Sequence, residues 1–207
     1  SGAFMKTRAE AEQLAASMTE VGRLMGVDVS HLLTPMDEPL GRAVGNALEV
    51  AECVETLQGR GPADLVQLTL DLAERVSTAG PPQLQRCLND GTAWRKFVQL
   101  VEAQGGDARA LERLTDIHAA PIIHPLLAER GGTITRVDAE LIGRASVFLG
   151  GGRAQAHDEI DYAVGFSRIK KIGETVEANE PLLLIHGRED ATLATILPLL
   201  EQAIAIQ

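Results

Sequence analysis

Aromatic residues are scarce: one Trp, one Tyr and four Phe make up 3% of the 207 residues. A core must therefore be assembled mainly from Leu, Val, Ile and Ala. Positive charge is short as well, with 19 Lys and Arg against 29 Asp and Glu and a formal net charge of −10. Polyanions are repelled by such a surface, which argues against broad binding to nucleic acid or anionic membranes, and an anionic substrate would need a local positive site. The two cysteines, Cys53 and Cys87, form no CxxC pair and lie in segments that read as helical. That excludes a small-domain disulfide framework and favours a reduced, cytoplasmic setting. No basic stretch followed by an apolar block opens the chain, so no signal peptide is expected. The longest apolar runs, such as residues 181–185, are far too short to span a bilayer. Met is absent from the first position, where Ser1 stands. The expectation is a chain that begins inside something longer or has been processed.

What is present is ordinary for a folded soluble protein: 45% hydrophobic and 23% charged residues, enough length for one large domain or two small ones. Thr7 with Glu10 three residues on forms a capping box, and Ala11, Leu14, Ala15, Met18, Val21 and Met25 repeat at helical spacing until Gly26 closes the helix. The short run 27–33 predicts a buried strand. A Pro-bounded loop, 34–39, leads to a helix over 46–57 with Leu48, Ala51, Val54 and Leu57 on one face. Pro62 suits a first helical turn, and Leu65, Leu68, Leu72 and Val76 form an apolar stripe behind it. Shorter helices follow around 84–88, 94–101 and 108–114.

The pattern changes after Pro121. Residues 132–137 alternate as a strand, 139–149 read as a helix, and three glycines, 150–152, break the chain. Residues 160–166 and 181–186 predict strands joined through Gly173-Glu174-Thr175-Val176. The last helix starts near Thr192, with Pro198 expected to bend or restart it. The domain boundary falls between residues 117 and 125. The fold class is α/β: residues 1–118 as the latter part of an α/β domain with an incomplete sheet, then residues 119–207 as a C-terminal α+β domain, hammerhead-like and containing a hairpin.

Leu40-Gly41-Arg42-Ala43 precedes the helix that carries Glu49 and Glu52. Carbonyls just ahead of a helix are not used by a ladder, and a carboxylate on the helix can complete an oxygen site for a hard cation. The competing reading is a plain helix cap at Asn46 with Glu49 three residues on.

The runs LLTPMDEPLGRAVGNALEVAE and GGGRAQAHDEIDYAVGF, with the opening Ser1-Gly2-Ala3-Phe4-Met5, resemble the pyrimidine-nucleoside and thymidine phosphorylases in order and spacing. The resemblance extends over essentially the whole chain and is most specific at 33–52 and 150–166. It implies a pentosyltransferase that cleaves thymidine or uridine with phosphate, giving the free base and a pentose 1-phosphate. It also implies a three-part plan: a small helical domain, a large α/β domain and a C-terminal segment packed on it. This chain supplies the later α/β part and the C-terminal segment. The Gly-rich phosphate loop and the Arg, Ser and Lys that hold the pyrimidine have no counterpart here, so no catalytic residue is expected in this chain and the isolated piece is expected to be inactive.

Three positions carry over as ligands of a potassium ion: Leu40 and Ala43 through backbone carbonyls and Glu52 through its carboxylate. The other ligands belong to the phosphate loop, so the site is expected to be incomplete and its role structural. Phe4 matches an apolar residue beside the pyrimidine ring. The competing reading makes it a core Phe next to the first helix. The resemblance further implies phosphate as co-substrate and a cytoplasmic homodimer for the intact protein, with no nucleic-acid or membrane partner.

Other residues invite chemistry less strongly. Gly150-Gly151-Gly152-Arg153 follows a helix rather than a strand, which favours a helix-end turn over a phosphate loop, and Arg153 can pair with Asp158 or Asp161. His157, Asp158, Glu159 and Asp161 fit no zinc spacing. His31, His118, His124 and His157 read as structural. His186 ends a strand ahead of Gly187-Arg188-Glu189-Asp190, a polar loop that could reach an opposite domain on closure. The hairpin after Lys170-Lys171 resembles biotinyl and lipoyl carriers, but neither lysine lies at its tip. Two other classes compete with the enzyme reading: a free-standing, non-catalytic binding module, and the related anthranilate phosphoribosyltransferase branch. Members of that branch lack the segment spanning 150–166.

Overall fold

The computed structural model describes residues 2–207 apart from residue 154, so Ser1 of the matching opening and Ala154 of the second matching run lie outside the described residues. Among the described residues, eight α-helices and six short strands follow in the order α1 (Arg8–Leu24), α2 (Asn46–Leu57), α3 (Ala63–Val76), α4 (Pro81–Asn89), α5 (Thr92–Ala103), α6 (Leu114–Ile117), β1 (Ile122–Leu127), β2 (Gly132–Val137), α7 (Ala139–Phe148), β3 (Gly165–Ser167), β4 (Thr175–Val176), β5 (Pro181–Gly187), α8 (Asp190–Ala203) and β6 (Ile204–Ile206). A 3-10 turn, Ala108–Arg113, leads into α6. The mixture of helices and small antiparallel sheets is the α/β class expected.

Local chemistry sets the element ends. Thr7 and Glu10 form the expected reciprocal cap on α1. At its other end the amides of Gly26 and Val27 return to the Arg23 and Gly22 carbonyls, with Gly26 in the left-handed region at φ 71°, so the terminal carbonyls are satisfied. The same device ends α7: the Gly150 and Gly151 amides donate to Val147 and Ser146. Those amides are spent on the helix end, which makes the glycine run a turn and leaves them no role as a phosphate cradle. Asp138 caps the start of α7 by accepting from the Glu140 and Leu141 amides.

Two antiparallel three-stranded sheets, ordered β1-β5-β3 and β4-β2-β6, pack with α7 and α8 around one core. Phe166, Ile134, Ile142, Ile169, Leu183, Ile185, Ile196 and Leu200 are fully buried there. Each contributes about 1.5–3 kcal/mol of apolar burial. By contrast α3 and α5 bury no residue, and the α3 stripe ends with Val76 exposed.

Four expectations are corrected. Residues 27–33 form no strand: residues 28–35 take part in no backbone hydrogen bond among the described residues, because no neighbouring strand lies beside them. The strand at 160–166 shrinks to β3, since residues 160–164 run as a turn beside α2. Gly45, not Asn46, caps α2: the Asn46 amide side chain instead donates to the Gly151 carbonyl at 2.9 Å, and the Glu49 carboxylate accepts from the Gly45 amide at 2.9 Å. Pro198 sits inside an unbroken α8 whose neighbours Ile196 and Leu200 are fully buried, so packing outweighs the one hydrogen bond it forgoes. No helix is long and apolar enough to cross a membrane among the described residues.

Candidate functional site

The site forms where the loop 38–45 is threaded between α2, the start of α3 and the segment 164–174. Gly41 turns the loop at φ 69°. A Cβ there would sit 2.1 Å from Glu52 Oε2, so only glycine lets the loop close on the carboxylate. Glu52 accepts the Arg42 amide at 2.9 Å and the Ala43 amide beside it, while Asp64 accepts the Gly41 amide at 3.1 Å. Further along, Val44 and Phe166 exchange backbone hydrogen bonds at 2.9 and 2.7 Å.

The loop's carbonyls divide in two. Those of Pro39 and Gly41 accept from the Lys171 ammonium, that of Arg42 accepts the Ile169 amide, and that of Val44 accepts the Phe166 amide. Among the described residues, no hydrogen bond reaches the carbonyls of Leu40 or Ala43. Ala43 is buried and Leu40 is partly exposed. Glu52 shares no ion pair among the described residues; burial is the main reason its carboxyl rises above the usual range, with Asp64 and Glu49 adding to it against the two amide hydrogen bonds. Two carbonyls without a hydrogen-bond donor, in a loop whose amides close on a carboxylate that shares no ion pair among the described residues, are oxygens of the kind a hard cation takes. No cluster of three or more His, Cys, Asp or Glu offers a metal site among the described residues.

Cations of the chain itself hold the loop from the other side. The Lys171 ammonium, only 12% exposed, lies 2.8 Å from Asp64 Oδ2 and 3.6 Å from Glu38 Oε1. Arg42 binds Glu174 through both terminal nitrogens, at 2.5 and 3.1 Å, and also donates to the Ile169 carbonyl. That grip holds the Glu174 carboxyl at about 2. Burial alone would raise the Asp64 carboxyl, but Lys171 and the amides of Gly41 and Leu65 keep it below its ordinary value.

A cavity of about 920 Å³ adjoins this loop, with Arg42, Ala43 and Glu52 on one side and Ser167, Arg168 and His186 on another. Ser167 Oγ and His186 Nε2 share a hydrogen bond at 2.8 Å. Burial and then the Arg168 charge push the His186 imidazolium down, so the ring is neutral near pH 7. The neighbouring loop is tied down: Arg188 grips Asp161 at 2.6 and 3.0 Å.

The structure therefore brings Leu40, Ala43 and Glu52 together and leaves Phe4 apart from them. Phe4 is 90% exposed in this chain and borders a shallow hollow with Met5, Lys6 and Leu14, so it belongs to no core that these residues form. Arg153 donates to the Asp158 carbonyl, and Asp161 belongs to Arg188 instead. Lys170 pairs with Glu180 at 2.6 Å; with Lys171 engaged too, neither lysine stands free like a carrier lysine. Sequence reasoning missed Arg42, Asp64, Ser167, Arg168, Lys171 and Glu174. Their partners are brought together by the fold, mostly from distant parts of the chain, and no local spacing announces them.

Residues 133–207 match the family model of the pyrimidine nucleoside phosphorylase C-terminal domain. The chain is 37% identical over 215 aligned residues to the pyrimidine-nucleoside phosphorylase of Staphylococcus haemolyticus (strain JCSC1435), a match covering 100% of this chain and 49% of that protein. It is 40% identical over 200 residues to the proteins of the same name from Staphylococcus aureus strains USA300 and N315, covering 92% of this chain and 46% of each. The chain spans about half the length of the curated relatives it matches.

Proposed function

We propose that this chain, a C-terminal portion of the pyrimidine-nucleoside phosphorylase family, works as part of an enzyme that cleaves thymidine or uridine with phosphate. A phosphate oxygen attacks the sugar C1′, the glycosidic bond to the base breaks, and free base and pentose 1-phosphate leave. Cationic donors stabilise the charge that develops on the departing base. The chain contributes the floor of the α/β domain and one face of a cation site, and it is inactive by itself.

The observation that carries this reading is the loop closed on Glu52 with the Leu40 and Ala43 carbonyls left over. These three would hold a potassium ion, whose weak charge needs further oxygens from a phosphate-binding loop elsewhere in the protein. When bound, the ion neutralises Glu52 and fixes that loop against α2. Phe4, exposed here, would form an apolar wall beside the base once the rest of the protein covers it. The intact protein is a cytoplasmic homodimer in this reading.

The test splices this chain onto the preceding half of the Staphylococcus haemolyticus relative and follows release of thymine and uracil. Base release only when phosphate is added, and none from this chain alone, is the expected result. A folded splice that releases no base would remove the enzyme reading and favour a non-catalytic binding module.

A further inference from the structure

The Lys171 ammonium is nearly buried and faces four oxygens: the carbonyls of Pro39 and Gly41 and the carboxylates of Asp64 and Glu38. Three structural segments meet on it, since Glu38, Pro39 and Gly41 belong to the loop, Asp64 to the first turn of α3, and Lys171 to the turn between β3 and β4. The same turn makes two more connections to that loop. The Ile172 amide donates to Glu38 Oε2 at 2.9 Å, and Glu174, which accepts the Lys171 amide at 2.9 Å, holds the Arg42 guanidinium. A charge set this deep is costly unless its oxygens stay in place, so lysine and loop each fix the other.

The consequence lies in which carbonyls Lys171 takes. It draws those of Pro39 and Gly41 to one side, and the peptide of Leu40 between them is thereby left with its carbonyl unbonded. Ala43, two residues past Gly41, is fixed from the other side by the Glu52 and Phe166 contacts of its neighbours. We propose that Lys171 is a positioning residue for the cation site: it serves as a tethered internal cation that orders the loop 38–43, so that Leu40 and Ala43 present their carbonyls together beside Glu52. Lys171 does not touch the bound ion. By this route the C-terminal domain sets the affinity of a site whose ligands all lie outside it. The proposal rests on the cation reading above.

Two measurements on the 207-residue chain test it. The first compares amide hydrogen exchange in wild type, Lys171→Met and Lys171→Arg. Exchange at Gly41, Arg42 and Ala43 should quicken about tenfold in K171M, as local opening becomes cheaper, and largely recover in K171R, which keeps the charge. Leu183 and Ile185, deep in the core, should be unchanged. Unaltered loop protection in K171M overturns the proposal. So does an equal acceleration of loop and core, which would make Lys171 a general stabiliser.

The second measurement follows the carbonyl ¹³C shifts of Leu40 and Ala43 as potassium chloride is added, with choline chloride as control. Shifts that appear in wild type and K171R but vanish in K171M support the proposal, and shifts retained in K171M refute it. A wild-type chain with no potassium response removes the cation reading instead, and with it Lys171's role toward an ion, while the exchange data still report on the loop. Asp64→Asn, which keeps the lysine but loosens one of its four oxygens, serves where K171M does not fold: it should quicken loop exchange less than K171M would, and no change at all counts against the proposal.

Discussion

The Arg42 guanidinium holds Glu174 with two nitrogens, at 2.5 and 3.1 Å, across 132 positions of sequence. It is a two-pronged charge-assisted contact between the loop before α2 and the turn between β3 and β4, and it makes that junction sensitive to acid. Glu174 titrates near 4.5 when free and at about 2 here. A carboxyl lowered on folding stabilises the native state above its unfolded value, and that contribution fades as pH falls from about 4.5 toward 2. The pair is about a third exposed, so screening reduces its contribution to about 1–2 kcal/mol. Glu174→Gln should lose that amount at pH 7 and very little at pH 2, as read by urea denaturation at both values. Equal losses at the two pH values would show that the charge is not responsible.

Glu52 runs the other way. Its carboxyl is raised, chiefly by burial, so the native state is favoured with Glu52 protonated, and that contribution is lost as pH rises through the folded value. Glu52→Gln keeps an acceptor for the Arg42 and Ala43 amides and removes the buried charge. Its melting temperature at pH 7 in a potassium-free buffer should match or exceed that of wild type. The variant should also lack whatever stabilisation potassium gives the wild-type chain. A clear fall in melting temperature at pH 7, absent at pH 4, would mean that the charged form is the stabilising one.

The loop 38–45 and the contacts around it were only half legible in the sequence.

 The capping box at Thr7, the helix 46–57, the strand 132–137 and the turn after α7 rest on neighbours within a few residues, and each stands where the residues indicate. Leu40, Ala43 and Glu52 lie within thirteen positions, and a loop folding back on the next helix brings them together. Lys171, Glu174 and His186 were not legible in this way. What each does depends on Asp64, Arg42 or Ser167, contacts that a tertiary fold creates and that carry no periodicity. Residues 27–33 went wrong for a related reason: alternation and β-branching give a strand its faces, but only a neighbouring strand gives it hydrogen bonds.

Where the loop crosses β3, two glycines touch. A Cβ on Gly165 would lie 2.2 Å from the Val44 carbonyl oxygen and 2.9 Å from Gly45 Cα, at φ 148°. Gly165→Ala must therefore push the loop off the sheet and break the Val44–Phe166 exchange, at a cost of about 2–3 kcal/mol. Gly105→Ala is the matched control, since its φ of 81° is also left-handed but nothing lies within 4 Å of the added carbon. It should cost only about 1 kcal/mol. Thermal melts of the two variants decide the matter, and similar losses would show that backbone conformation, not the crossing, makes Gly165 necessary.

Residues 28–35 follow α1 with no backbone hydrogen bond among the described residues, although Val27 and Val29 alternate with polar residues as a strand edge would. Backbone groups left to water exchange freely, so the amides of residues 28–33 should show almost no protection in this chain, against strong protection at Leu183 and Ile185 in β5. The same amides should become protected in the spliced protein described above if the added half places a strand beside them, since pairing satisfies the row of donors and acceptors that is open here. Protection already present in the 207-residue chain would mean that the segment pairs with itself or with a second copy. A concentration series separates those two, because only pairing between copies strengthens as protein is added.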